Sequence, residues 1–228
     1  MNKFAVVALG AAAGLAFGHG EGDVGFVLTN GVLETVVADD VAENWEPGLE
    51  RVFAGEMSFD GTNFVGDEPG FFMNDDDSRP NADSNVAAGS VLGYNTVGAL
   101  QVWDGSGFVS TSAQLAQING LDTVLTPTNN STVAGFEFDY TGGAFDEHPD
   151  YGLVNGSAGA YLWLVDFYLN DASGNLLAEA ETIAIVFNAG VSEEIHEEAL
   201  EAAEGIVPAP GAMGLLALGG LAAARRRR

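Results

Sequence analysis

The chain is expected to fold as an all-β protein, a β-sandwich of antiparallel strands with one short helix near its C-terminal end. Three observations lead there. Glycine-rich turn signals punctuate short apolar runs. Thirty-one glycines accompany many β-branched and aromatic residues. The regular alternation of strands with helical periods that a parallel α/β sheet needs is missing.

The elements follow in order. Residues 24–28 and 32–37 flank Asn30-Gly31, the strongest short hairpin signal. Residues 51–59 read as a strand closed by the turn Asp60-Gly61. Residues 91–102 and 108–110 flank Asp104-Gly105-Ser106-Gly107 and make a second hairpin. Residues 132–140 alternate around Phe136, Phe138 and Tyr140, the period of a half-buried strand. Residues 160–169 and 176–187 flank Asp171-Ala172-Ser173-Gly174-Asn175, a third hairpin. Ser192 then opens a helix, with Glu193 and Glu194 at its positive end. Its apolar stripe is read as Ile195, Ala199 and Ala202 or Ala203, with Gly205 as the stop. The acid-rich run 73–85 reads as a loop.

The two ends read as addresses. Lys3 and the apolar run 4–17 form the charged and hydrophobic parts of a signal peptide, and Ala16-Phe17-Gly18 fits its cleavage site. Residues 1–18 are then removed and His19 becomes the first mature residue. At the other end, Val207-Pro208-Ala209-Pro210 leads into an apolar stretch, residues 211–224, followed by Arg225, Arg226, Arg227 and Arg228. Fourteen helical residues reach only about 21 Å, short of a hydrocarbon core of roughly 30 Å. The four arginines favour the cytoplasmic side. On these residues the tail, 207–228, resembles the PEP-CTERM sorting signal, with Ala209 where the family's motif has Glu. The resemblance implies handling by the Sec export machinery and then by an exosortase-like processing enzyme. It also implies that the tail holds the chain in the membrane before processing. An ordinary C-terminal membrane anchor is the alternative.

Between the ends lies one acidic domain, residues 19–206. It carries all 33 acidic residues, and only Arg51 and Arg79 oppose them. The charge of this body is therefore 2 − 33 = −31. Nucleic acid and anionic membrane are excluded as natural partners, whereas divalent cations suit such a surface. Adaptation to a salty environment accounts for the same charge. The chain has no cysteine, which removes disulfides, thiol catalysis and thiolate metal sites.

Chemistry-bearing residues are few. His19, His148 and His196 are the only histidines, and the natural transition-metal ligands of a chain without cysteine. A mature His19 offers its amine and imidazole together, with Glu21 two residues on. Sequence spacing leaves two readings open: separate, solvated histidines, or two or three of them meeting around zinc or copper. Asp75, Asp77 and Asp83, with Asp76 between Asp75 and Asp77, make a carboxylate-rich loop, read first as a solvated acidic loop and alternatively as a loose calcium binder. Val86 and Leu92 stand where an EF-hand needs Gly and Glu, so it is not one. Trp45, Trp103 and Trp163 are candidates for a sugar platform, or simply core residues. No nucleophile elbow, phosphate loop or zinc-protease motif is present, and no catalytic residue is assigned.

Several segments carry a further resemblance. They are His19-Gly20-Glu21-Gly22-Asp23, Trp45-Glu46-Pro47-Gly48, Val102-Trp103-Asp104-Gly105, His148-Pro149-Asp150-Tyr151, Tyr161-Leu162-Trp163-Leu164, and Ile185-Val186-Phe187-Asn188 with the helix Glu193-Glu194-Ile195-His196-Glu197-Glu198. Together they resemble exported PEP-CTERM proteins of planctomycete type. They are more loosely similar to a PEP-CTERM family repressed by the zinc-uptake regulator and to surface-anchored proteins associated with metal transporters. The resemblance implies a surface β domain linked to zinc supply, with the mature start on His19 and Glu21 and a mid-chain histidine on His148. The richer histidine clusters of those relatives are missing here. The expected function is a non-enzymatic structural or interaction module of the cell surface or extracellular matrix. Metal binding is the alternative, and a carbohydrate-binding or carbohydrate-active role a third.

Overall fold

The computed structural model describes residues 22–39, 44–45, 50–74 and 86–207. In chain order the strands are β1 (Asp23–Thr29), β2 (Val32–Asp39), β3 (Asn44–Trp45), β4 (Val52–Phe59), β5 (Phe64–Gly66), β6 (Phe71–Asn74), β7 (Ser90–Val97), β8 (Gln101–Trp103), β9 (Phe108–Ser110), β10 (Gln114–Asn119), β11 (Asp122–Leu125), β12 (Thr132–Tyr140), β13 (Ala144–Glu147), β14 (Asp150–Val154), β15 (Gly159–Asn170), β16 (Leu176–Glu179) and β17 (Ile183–Ala189). One helix follows, α1 (Glu193–Glu204). The fold is all-β and sandwich-like, as the sequence leads one to expect.

The strands form two curled sheets. The smaller runs β13-β6-β1-β2-β3, and the larger runs β11-β10-β14-β5-β4-β17-β15-β7-β12, with β8, β9 and β16 attached beside β15. Pairing is antiparallel except for β1 with β6 and β17 with β4. Between the sheets lies an aromatic core. Phe26 and Phe71 of the small sheet meet Tyr94, Phe138 and Phe167 of the large one, with ring centroids 4.6–6.4 Å apart. A buried polar chain crosses this core. The Tyr94 hydroxyl donates to Gln117 Oε1 at 2.9 Å, and Trp163 Nε1 donates to Thr96 Oγ1 at 3.2 Å.

Strand β17 and the first half of β15 are buried on both faces. Tyr161, Trp163, Val165, Phe167 and Leu169 of β15 point into the main core, while Ala160 and Leu162 join a second apolar cluster. In β17, Ile185 and Phe187 face the core, and Ala184 and Val186 the second cluster. That outer cluster is covered by Ala199, Leu200 and Ala203 of α1 and by Val207. Two-sided burial explains why these strands read as unbroken apolar runs rather than as alternation.

Several local expectations are refined. The run 91–102 is two strands, because Gly98 adopts φ +71°, a conformation that L side chains rarely take. The chain bends there and β8 continues along β15, pairing with residues 161 and 162. The run 176–187 is likewise two strands, β16 against the far end of β15 and β17 against its start. Residues 73 and 74 of the expected loop belong to β6, and residues 75–85 lie outside the described residues. Strands β3, β5, β6, β10, β11, β13 and β14 fall outside the expected strand ranges. In α1 the buried stripe is His196, Ala199, Leu200 and Ala203, whereas Ile195 is 41% exposed. Those four positions have the i, i+3, i+4, i+7 spacing of one helix face. Ala199 and Ala203 are buried as expected, while His196 takes the place expected of Ile195 and Leu200 joins them.

Candidate functional site

One corner of the small sheet gathers a histidine and three carboxylates. His148 lies in the two-residue link between β13 and β14, and Asp146 precedes it by two residues in β13. Alternate residues of an extended chain share a side, which brings the two side chains together. Asp23 opens β1, and the parallel pairing of β1 with β6 puts it beside Gly70. Gly70 is held from both sides: its N–H donates to Asp23 Oδ1 at 2.7 Å, and its carbonyl accepts from Val24 N–H at 3.0 Å. A Cβ on Gly70 would lie 2.6 Å from the His148 ring and 2.8 Å from Asp23 Oδ1, so only glycine lets these groups approach. Beneath the segment, the buried Tyr151 hydroxyl donates to the Pro69 carbonyl at 3.0 Å, across a cis Glu68–Pro69 bond.

The imidazole is ringed by oxygen. Its Nε2 lies 3.0 Å from Asp146 Oδ1 and 3.6 Å from Asp23 Oδ2. Its Nδ1 lies 3.3 Å from the Asp67 carbonyl and 3.5 Å from Glu68 Oε1. Asp23 is almost fully buried, with a side chain only 5% exposed, while His148 is 31% exposed and faces solvent on one side. Burial opposes protonation of His148. The carboxylates of Asp23, Glu68 and Asp146 outweigh it and hold the imidazole above its ordinary value. Burial and the adjacent Asp23 push Glu68 up to about 7, although half of its side chain reaches solvent.

His196 occupies a different setting. It is 1% exposed, on the face of α1 against the large sheet. Its Nε2 lies 2.8 Å from the Val186 carbonyl of β17, so this nitrogen carries the proton and donates. Its Nδ1 points toward Glu56 Oε1 at 3.3 Å, and Glu193 completes the group.

The structure therefore places His148 and His196 in two separate groups of ligating side chains, Asp23–Asp146–His148 and Glu56–Glu193–His196. His19 and Glu21 lie outside the described residues, as do Asp75, Asp77 and Asp83 of the acidic loop. Of the sorting motif only Val207 is described, and it is buried; Pro208, Ala209, Pro210 and Arg225–Arg228 lie outside. Trp163 is core, and Trp103 packs on Phe108 in the β8–β9 hairpin with centroids 5.4 Å apart. Those two tryptophans thus do not form one platform. Sequence reasoning missed Asp23, Glu68 and Asp146. The signal for Asp146 was its i−2 spacing from a histidine in an extended segment; nothing local marked the other two.

A groove of about 600 Å³ opens near the end of the described chain, lined by Arg51, Asp166, Glu179, Glu181, Ile206 and Val207 among others. The Arg51 guanidinium is engaged there, 2.7 Å from Glu181 and donating to the Thr182 carbonyl at 3.0 Å. Among the described residues no helix is long and apolar enough to cross a membrane. No protein-family model matches the chain, and no curated protein matches it.

Proposed function

We propose that the chain is an exported protein of the cell surface or extracellular matrix, whose acidic β domain acts as a non-enzymatic structural or interaction module. The observation that carries this reading is the tail. A Pro-Ala-Pro motif, a short apolar stretch and four arginines follow directly on Val207, the last described residue of the packed layers. Signal-like residues 1–18 supply the matching export address. The body's charge suits a hydrated, salt-exposed surface.

The test is mass spectrometry of the protein recovered from envelope and medium of producing cells, with a variant lacking residues 208–228 alongside. The expected product begins at His19, ends near Pro208–Pro210, and loses its surface retention when the tail is deleted. Recovery of an intact chain from the cytoplasm, residues 1–18 and 211–228 still attached, overturns the reading.

A further inference from the structure

We infer that Asp23, Asp146 and His148 form a binding site for one divalent transition ion of the zinc type, with the Asp67 carbonyl orienting the histidine. This goes beyond the surface reading and stands independently of it.

The donor set is one imidazole nitrogen and two carboxylate oxygens, which suits zinc and its neighbours. Zinc binds such donors at about 2.0–2.2 Å, so two ligand atoms on a tetrahedral ion stand about 3.4 Å apart. The separations from His148 Nε2, 3.0 Å to Asp146 Oδ1 and 3.6 Å to Asp23 Oδ2, straddle that value. Only small adjustments of three side chains would centre an ion among them.

The outer partners are also in place. A ligating histidine commonly donates its other ring N–H to a carbonyl or carboxylate, which fixes its tautomer and orientation. His148 Nδ1 has the Asp67 carbonyl at 3.3 Å and Glu68 Oε1 at 3.5 Å. Asp23 is ordered in the same way, because its Oδ1 holds the Gly70 N–H and leaves Oδ2 directed at the imidazole. This is what separates the corner from an ordinary patch of surface acids. One ligand is buried and clamped by backbone, another is oriented by a carbonyl, and Gly70 leaves the space in which they meet. Asp146, 46% exposed, leaves an open side for entry and for a water as fourth ligand. Two carboxylates balance the charge of the dication. The ion would tie β1, the Asp67–Gly70 segment and the β13–β14 link into one clasp.

The test is zinc competition against a chromophoric chelator, using the full chain in mild detergent, stripped of metal and held at physiological salt to suppress diffuse carboxylate binding. The wild-type chain is expected to take up a tight equivalent. Asp146→Asn and His148→Gln are each expected to weaken that uptake about a hundredfold or more, since even outer partners are worth about 10–100-fold. Asp104→Asn, in an exposed hairpin turn, should leave it unchanged. Circular dichroism checks each fold, and Asp146→Asn decides the matter if His148→Gln misfolds, because Asp146 lies at the surface. Absence of tight uptake by the wild-type chain overturns the inference. So does equal uptake by both site variants, or equal weakening by Asp104→Asn.

Discussion

His148 and His196 are both set among carboxylates, yet their surroundings do opposite work. His196 is sealed beneath α1, one nitrogen bonded to the Val186 carbonyl, and its neighbours Ala199, Leu200 and Ala203 join helix to sheet. His148 stands at an open corner, where every polar neighbour of the ring is an oxygen. One histidine is part of the packing; the other is held by electrostatics. Burial separates the two roles, because a buried polar group must be satisfied locally, whereas a half-exposed one can keep a side open to an ion.

Removing the packing is expected to have the largest effect. Leu200→Ala should lower the free energy of unfolding by about 2–5 kcal/mol, the range for truncating a buried leucine. His196→Ala should follow at roughly 2–4 kcal/mol, combining a cavity with an orphaned Val186 carbonyl. Urea denaturation measures both. Losses below about 1 kcal/mol would break the contrast by showing that α1 is not an integral layer.

Gly70→Ala sharpens the comparison from the other side. The added Cβ meets the His148 ring and Asp23 at under 3 Å, so the corner must open. The expected cost is about 1–3 kcal/mol, from strain of the kind overpacking produces. Heteronuclear NMR should show the shifts confined to the His148 corner and the α1 layer undisturbed. Shifts spreading to α1 would mean that the two regions are one cooperative unit.

Alkali probes the layers next. Burial raises Tyr94 and Tyr151 above the ordinary phenol value, and burial with a hydrogen bond to Glu137 pushes Tyr168 up to about 12. The folded chain keeps these protons while the unfolded chain releases them near 10. Their contribution to stability is therefore complete below pH 10 and is lost as pH rises above it, through about 12 for Tyr168 and further still for Tyr94 and Tyr151. Ultraviolet titration should show late tyrosine ionisation coinciding with unfolding. Ordinary titration of all five tyrosines near pH 10, with the fold intact, would contradict the burial described.

The smallest effect concerns Ser192. It stands at the N-cap of α1 but makes no side-chain cap bond. Ser192→Ala should thus cost less than about 0.5 kcal/mol, where a bonded cap is worth about 1 kcal/mol. A full capping loss by thermal denaturation would reveal a bond formed in solution.

How much of this was legible depends on distance along the chain. The β1–β2 hairpin is written in Asn30-Gly31, and the helix in Ser192 to Gly205, because both are settled by neighbouring residues. The β10–β11 hairpin was equally local. Gly120, at φ +61°, opens a two-residue turn and was a usable signal. Strands β6 and β13 were not legible, since four residues each say little until β1 and β6 pair across more than forty positions. The candidate site shares that fate. Asp146 and His148 are neighbours in sequence, but Asp23 reaches them only through the parallel β1–β6 pairing. Whether any histidines meet was not readable from spacing; the fold puts His148 and His196 in different ligand groups, and His19 lies outside the described residues.

The two-sided burial of β15 and β17 also sets a timetable. The cover for their outer face, residues 193–207, comes after both strands in the chain. During synthesis, Ala160, Leu162, Ala184 and Val186 emerge before the helix that covers them, with Trp103 and Phe108 of the β8–β9 hairpin and the β4 residues Val52 and Ala54 to pack on that side. The sheet stays adhesive on that side until α1 arrives. A chain interrupted near Ser192 would keep every described strand and still be an aggregating species.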